Sequence, residues 1–167
     1  MTQTVYLMRG LPGSGKSTWA NKFMEENEWA RRINKDDLRA MTNRGKWTPR
    51  DENVLNHLQY IMMDRFLRDG YDVIMDNTNF ATTHTKAVEA VILKLDKDID
   101  IVVVDMYTPI SVCIERDAAR EKPVGESAIR DMQSRFMLPH NKFGPLRLSV
   151  DELKERIKFI TVGDGDA

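Results

Sequence analysis

The eight residues Gly10-Leu11-Pro12-Gly13-Ser14-Gly15-Lys16-Ser17 constrain this chain more than any others. They spell G-x-x-x-x-G-K-S between a strand-like run and a helical one. Thr4 to Arg9 is the strand, ending at Gly10, and Ser17 to Glu26 places Trp19, Ala20, Phe23 and Met24 at helical spacing. A loop in that setting curls backbone N–H groups around a phosphate, with glycine wherever a Cβ would collide, and the following helix N-terminus adds partial positive charge. On this reading Gly10, Pro12, Gly13, Ser14, Gly15 and Thr18 shape the cradle, Lys16 reaches the β- and γ-phosphates of a nucleoside triphosphate, and Ser17 ligates Mg²⁺. The alternative is a glycine-rich turn that binds nothing.

The rest of the chain continues the alternation. Ala30 to Asn34 reads as a second strand, Asp36 to Met41 as a short helix with an aspartate cap, and Pro49 with Asp51 opens a long helix that keeps its apolar period until Gly70. Tyr71 to Met75 and Ile99 to Met106 are apolar runs suited to strands buried on both faces. Thr83 to Leu95, Pro109 to Arg120 and Ser127 to Phe136 are helical by pattern. Ser149 with Glu152 forms a capping box for a helix to Arg156, Phe159 to Val162 is a candidate last strand, and residues 163–167 are a polar tail. This order predicts a three-layer α/β domain spanning 1–167, with a mostly parallel sheet and right-handed crossovers.

Charge narrows the partners. The 25 Lys and Arg against 26 Asp and Glu exclude a wholly basic polyanion binder, so any such affinity is local. From Arg31 to Arg50 seven basic residues stand against two acidic ones, and Arg44, Lys46 and Trp47 within this stretch suit a nucleic-acid strand. Trp47 either stacks on a base or packs beneath its loop. The only cysteine, Cys113, excludes an intrachain disulfide and a cysteine-rich zinc site, and reads as a buried small hydrophobe in a reducing cytoplasm. The first ten residues lack a signal-peptide pattern, no apolar run approaches the roughly 18 to 20 residues of a membrane span, and no membrane partner is expected. His57, His84 and His140 share no metal-ligand spacing, and Met62 with Met63 suits the core.

Two imitations are set aside. Asn34-Lys35-Asp36-Asp37 matches the N-K-x-D guanine motif, but lies too soon after the phosphate loop to share that pocket. Asp96-Lys97-Asp98-Ile99-Asp100 opens like a calcium loop, yet Ile101 stands where glycine is needed and Tyr107 where the bidentate glutamate belongs. Asp36 follows the second strand, where ligands bind in open α/β sheets, and can take the proton of an attacking hydroxyl or merely cap its helix. Arg39, one turn later, can hold an anionic part of the same acceptor or be a surface charge. Arg116 and Arg120 lie one turn apart before Pro123-Val124-Gly125, as in a hinged segment closing on phosphates; the alternative is a salt-bridged surface helix with Glu115, Asp117 and Glu121.

The ordered set Gly10 to Trp19, Asn34 to Arg39, Asp76-Asn77-Thr78-Asn79, and Arg116 to Arg120 followed by Pro123-Val124 resembles the kinase domain of polynucleotide 5′-hydroxyl kinases, over roughly residues 4 to 137. The resemblance implies a P-loop kinase fold with a helical lid at about 116–136, Mg²⁺, and ATP or GTP as phosphate donor. It implies catalytic roles for Lys16, Asp36 as general base, Arg39 on the phosphate 3′ to the acceptor nucleoside, and Arg120 as a lid arginine, with Arg116 beside it on the donor. Some members carry a carboxylate directly before Thr-Asn to orient the acceptor arginine; here Asn77 is in that place and Asp76 one position earlier, so Asp76 either takes that role or serves the Mg²⁺ shell. The D-x-D-x-T motif of an attached 3′-phosphatase does not occur.

The expected activity is therefore transfer of the γ-phosphate to the 5′-hydroxyl end of single-stranded or nicked DNA or RNA, leaving a 5′-phosphate for a separate ligase. The rivals are a P-loop kinase of a small hydroxyl compound, such as a sugar acid, an antibiotic or adenylylsulfate, and a P-loop ATPase or nucleotide switch.

Overall fold

The computed structural model describes residues 2–138, 142–143 and 156–163. In chain order the elements are β1 (Gln3–Arg9), α1 (Lys16–Glu26), β2 (Ala30–Ile33), α2 (Lys35–Asn43), α3 (Pro49–Arg68), β3 (Asp72–Met75), α4 (Thr82–Lys94), β4 (Ile99–Met106), α5 (Ile110–Ala118), α6 (Glu126–Phe136), β5 (Met137–Leu138), β6 (Lys142–Phe143) and β7 (Ile157–Val162). Five strands form one sheet in the order β2-β3-β1-β4-β7, and every neighbouring pair is parallel. Helices cover both faces, as expected of strands that read as unbroken apolar runs.

Side chains alternate across each strand, and this divides the core in two. Val5, Leu7, Val73, Met75, Ile101 and Val103 face α3 and α4, where they meet Leu55, Met63, Leu67, Val88 and Ile92. Met8, Ile74, Val102 and Val104 face α1, against Ala20, Trp19 and Phe23. A third cluster, Leu11, Cys113 and Ile129, joins the phosphate loop to α5 and α6. Cys113 is buried outside any disulfide, and its thiol donates to the Thr108 carbonyl at 3.6 Å.

Because all these strands run the same way, the C-terminal ends of β1, β2 and β3 open on one edge and deliver Gly10, Asn34 and Asp76 side by side. Polar side chains fix those ends. The Asn79 amide donates to the carbonyls of Met8 (2.8 Å) and Met75 (2.9 Å), and the Asn34 amide donates to the carbonyl of Asp76 (2.6 Å).

The aspartate cap expected for α2 does not occur. The cap of α2 is Asn34, whose side chain accepts the Asp37 N–H at 2.9 Å, so the helix begins at Lys35 and Asp36 lies inside its first turn with the carboxylate free of any capping duty. The antiparallel pair β5 and β6 was not foreseen. Strand β7 extends the expected last strand at its start and pairs with β4. The helix read from Ser149 to Arg156 lies outside the described residues but for Arg156, as do His140 and residues 164–167. No helix among the described residues is long and apolar enough to cross a membrane.

Candidate active site

The phosphate loop is an open cradle. Helix α1 starts after Gly15 (φ 97°) with no side-chain cap, which leaves its first amides available to an anion. Gly13 (φ 81°) is required twice over, since a Cβ there would stand 2.4 Å from the Cys113 carbonyl oxygen. The Lys16 ammonium donates to the carbonyls of Gly10 and Leu11, each at 2.9 Å, so the loop holds its own lysine. Burial pulls the Lys16 pKa down to about 8, against an upward push from Asp76.

Beside the loop, Asp76 from the end of β3 meets Ser17. The serine hydroxyl donates to Asp76 Oδ2 at 2.8 Å, and the carboxylate is almost wholly buried. The other carboxylate oxygen, Oδ1, is buried without a hydrogen-bond partner among the described residues. That orphan atom and the serine hydroxyl fit a Mg²⁺ ion. Among the described residues no cluster of three or more His, Cys, Asp or Glu is suited to a metal; an ion held by Ser17 and Asp76 would complete its shell with phosphate oxygens and water.

Across the same cleft, of about 430 Å³, lie Asp36 and Arg39 of α2. Arg39 Nη1 donates to Asp36 Oδ1 at 2.6 Å and Nη2 to Glu52 Oε2 at 2.7 Å, while Nε is buried and unpartnered among the described residues. Glu52, in the first turn of α3, also accepts from Lys35 Nζ at 2.8 Å. Burial would raise the Glu52 pKa, but the hydrogen bonds from Lys35 and Arg39 outweigh it and hold the carboxyl below its ordinary value. Asn77 does neither of the things its neighbours in sequence suggest: its side chain accepts the Lys35 N–H and donates to Gln59, each at 3.0 Å. The carboxylate that holds Arg39 beside Asp36 is thus Glu52, from a different element.

The segment expected as a lid contains the end of α5, a turn and α6. Arg120 reaches the cleft at its far wall, 3.7 Å from Asp117, and Arg116 Nη1 donates to the Gly13 carbonyl at 3.3 Å. Asp117 is buried and accepts the N–H groups of Val124 (3.1 Å) and Gly125 (2.9 Å), which fixes the turn that follows Arg120. Lys122 donates to the Arg44 carbonyl at 3.0 Å and ties that turn to the connection between α2 and α3. A second cavity of about 510 Å³ opens on the other side of the loop, between Thr18, Trp19, Lys22, Thr108 and Arg116.

The structure therefore brings Pro12, Gly13, Gly15, Lys16, Ser17, Thr18, Asp36, Arg39, Asp76 and Arg120 around one cleft. Ser14 and Arg116 line the second cavity, and Gly10 contributes its carbonyl to Lys16. Arg44, Lys46 and Trp47 stay outside the cleft wall. Trp47 is 62% exposed, so it does not pack beneath its loop. Sequence reasoning missed Glu52 and Arg32. The first looks like an ordinary acidic first-turn residue, and the second carries no motif at all.

A family model described as AAA domain matches residues 5–139. The chain belongs to the AAA domain family. Among solved structures, this AAA domain resembles a chain of the Pnkp1/Rnl/Hen1 RNA repair complex at TM-score 0.62 and 23% identity, covering 91% of this chain and 51% of that one. It thus spans about half the length of its match there. It also resembles a candidate kinase from Chloroflexus aurantiacus J-10-fl (TM-score 0.69, 16% identity, 96% of this chain and 85% of that one) and a gluconokinase from Sinorhizobium meliloti 1021 (0.53, 15%, 96% and 82%). These likenesses establish a P-loop kinase fold for the AAA domain.

Proposed function

We propose that this protein is a polynucleotide kinase that moves the γ-phosphate of ATP or another nucleoside triphosphate to a 5′-hydroxyl end of DNA or RNA. One observation carries the reading: the phosphate loop and the Asp36–Arg39 pair face each other across a single cleft, and Arg39 is held there by a second carboxylate, Glu52, with its Nε–H unpartnered among the described residues. In this role Lys16 leaves the loop carbonyls for the β- and γ-phosphate oxygens, and Arg116 and Arg120 close on the donor from the lid segment, residues 116–136. Mg²⁺ bound at Ser17 and Asp76 supplies neutralisation of the phosphate charge. Arg39 grips the phosphate 3′ to the acceptor nucleoside and so brings the 5′-hydroxyl to Asp36. The new O–P bond forms at the 5′-oxygen as the bond from γ-phosphorus to the bridging β,γ-oxygen breaks; Asp36 takes the hydroxyl proton and the nucleoside diphosphate leaves.

Arg44, Lys46 and the exposed Trp47 lie beyond the cleft and provide a basic, aromatic surface for the strand that follows the 5′ end. The likeness to a chain of an RNA repair complex accords with this reading, in which the product is a 5′-phosphate end that a separate ligase can seal. The likeness to a gluconokinase keeps a small hydroxyl compound as the rival acceptor. The test is transfer of labelled γ-phosphate to matched 5′-hydroxyl and 5′-phosphate oligonucleotides of DNA and RNA, beside sugar acids and a no-acceptor control. Label confined to 5′-hydroxyl strands supports the proposal; label on a sugar acid alone, or phosphate release alone, overturns it.

A further inference from the structure

Arg32 contacts both side chains that would hold the donor's metal ion. Its Nε donates to Asp76 Oδ2 at 2.6 Å and its Nη2 to Ser17 Oγ at 3.2 Å, while Nη1 is paired with Asp37. Two of those three partners belong to the side chains that fit Mg²⁺: the Ser17 hydroxyl, and the Asp76 carboxylate, which Arg32 holds by Oδ2 while Oδ1 has no partner among the described residues. The third is different in kind: the Asp37 side chain is 65% exposed, that of Asp76 1%. The guanidinium therefore has one buried carboxylate it shares with the metal site and one solvated carboxylate it does not.

A buried carboxylate needs counter-charge; Lys16 acts on Asp76 through space, and among the described residues Arg32 is the cation that hydrogen-bonds it. A divalent ion bound about 2.1 Å from Ser17 Oγ or Asp76 would lie within a few ångströms of the guanidinium, where like charges in a partly buried corner repel strongly. We propose that Arg32 and the donor's divalent cation are alternative occupants of the Asp76–Ser17 pair: Arg32 neutralises the pair in the donor-free protein, and the metal-bearing donor displaces it toward Asp37 on the acceptor side. The exchange keeps the buried carboxylate paired in both states and makes metal binding work against an internal competitor. It rests on the donor half of the proposed function and is independent of the acceptor.

The test is calorimetric binding of ADP, in EDTA and in excess Mg²⁺, to the full chain and its variants. The readout is the factor by which Mg²⁺ tightens ADP binding. Arg32→Met removes the competitor, and the factor rises about tenfold. Arg32→Lys keeps the charge without the fork and gives a smaller rise. Asp37→Asn has the opposite sign: it removes the carboxylate that receives the displaced guanidinium, and the factor falls severalfold. A factor that is unchanged or lower in Arg32→Met overturns the proposal, because an arginine that merely braces the site would give that result; one that does not fall in Asp37→Asn overturns it as well, because the displaced guanidinium would then gain nothing from that carboxylate. If Arg32→Met does not fold, the opposed changes in Arg32→Lys and Asp37→Asn decide the question. ADP that binds under neither condition overturns the donor reading itself, and this inference with it.

Discussion

Replacing Glu52 by glutamine tests whether the acceptor arginine is held in place by a residue that never touches the acceptor. The carboxylate receives two charge-assisted hydrogen bonds, from Lys35 at 2.8 Å and Arg39 at 2.7 Å, and its side chain is 18% exposed. Glutamine keeps the shape but offers one acceptor oxygen, so one of the two cations faces an amide N–H instead. Hydrogen bonds to charged groups contribute about 1.5–3 kcal/mol when well formed, and among the described residues Arg39 retains only the solvated Asp36 as a carboxylate partner. A loss of about 1.4 kcal/mol in the poise of Arg39 is a tenfold rise in acceptor KM. The expected result is that rise for a 5′-hydroxyl oligonucleotide, with donor affinity unchanged, and sub-additivity with Arg39→Ala in a double-mutant cycle. Urea unfolding gives an independent check with a defined sign. Because the Glu52 pKa is depressed in the folded state, its stabilisation is complete above the unfolded value of about 4.3 and is lost as pH falls through the folded one. The stability gap between wild type and Glu52→Gln should therefore close below about pH 4. Equal losses for donor and acceptor, or full additivity with Arg39→Ala, would refute the positioning argument.

Other expectations follow from the same cleft. Asp36→Asn should bind ADP normally and lose transfer by about 10² or more in kcat; near-normal transfer would remove Asp36 as the base. With the Lys16 pKa at about 8 in the free protein, phosphate binding favours its protonated form, so donor affinity should be level below pH 8 and fall as pH rises above it; an affinity that rises with pH contradicts the assignment. Asp117→Ala leaves the N–H groups of Val124 and Gly125 without their carboxylate and should cost about 1–3 kcal/mol in thermal or urea unfolding, with slowed single-turnover transfer through a loosened Arg120 turn; unchanged stability would show those bonds to be dispensable.

The parts of this molecule that were legible in its sequence are those set by local physics. The phosphate loop is legible because its glycines meet backbone demands within a few residues, as the clash of a Gly13 Cβ with Cys113 and the positive φ of Gly15 show. The strands β1 and β4 are legible as apolar runs and α3 by its period and its Pro49 and Asp51 start. What was hidden depends on chain neighbours that sequence does not place side by side. Arg32 and Asp76 stand 44 residues apart and meet because β2 lies beside β3. Glu52 reaches Arg39 because α3 returns along α2 after a short turn closed by Arg44 in the left-handed region (φ 51°). Asn34 and Asp36 are both good capping residues two positions apart, and only the extended backbone at Asn34 decides between them. Two-residue strands such as β5 and β6 carry no period to read.

The most direct measurement is the kcat/KM for phosphate transfer to a nucleoside 3′-phosphate compared with the same nucleoside lacking that phosphate. If Arg39 grips the phosphate 3′ to the acceptor sugar, the phosphorylated acceptor is favoured by about 10–100-fold, and Arg39→Ala erases the preference. Equal rates for the two acceptors, or a preference that survives Arg39→Ala, would contradict the account.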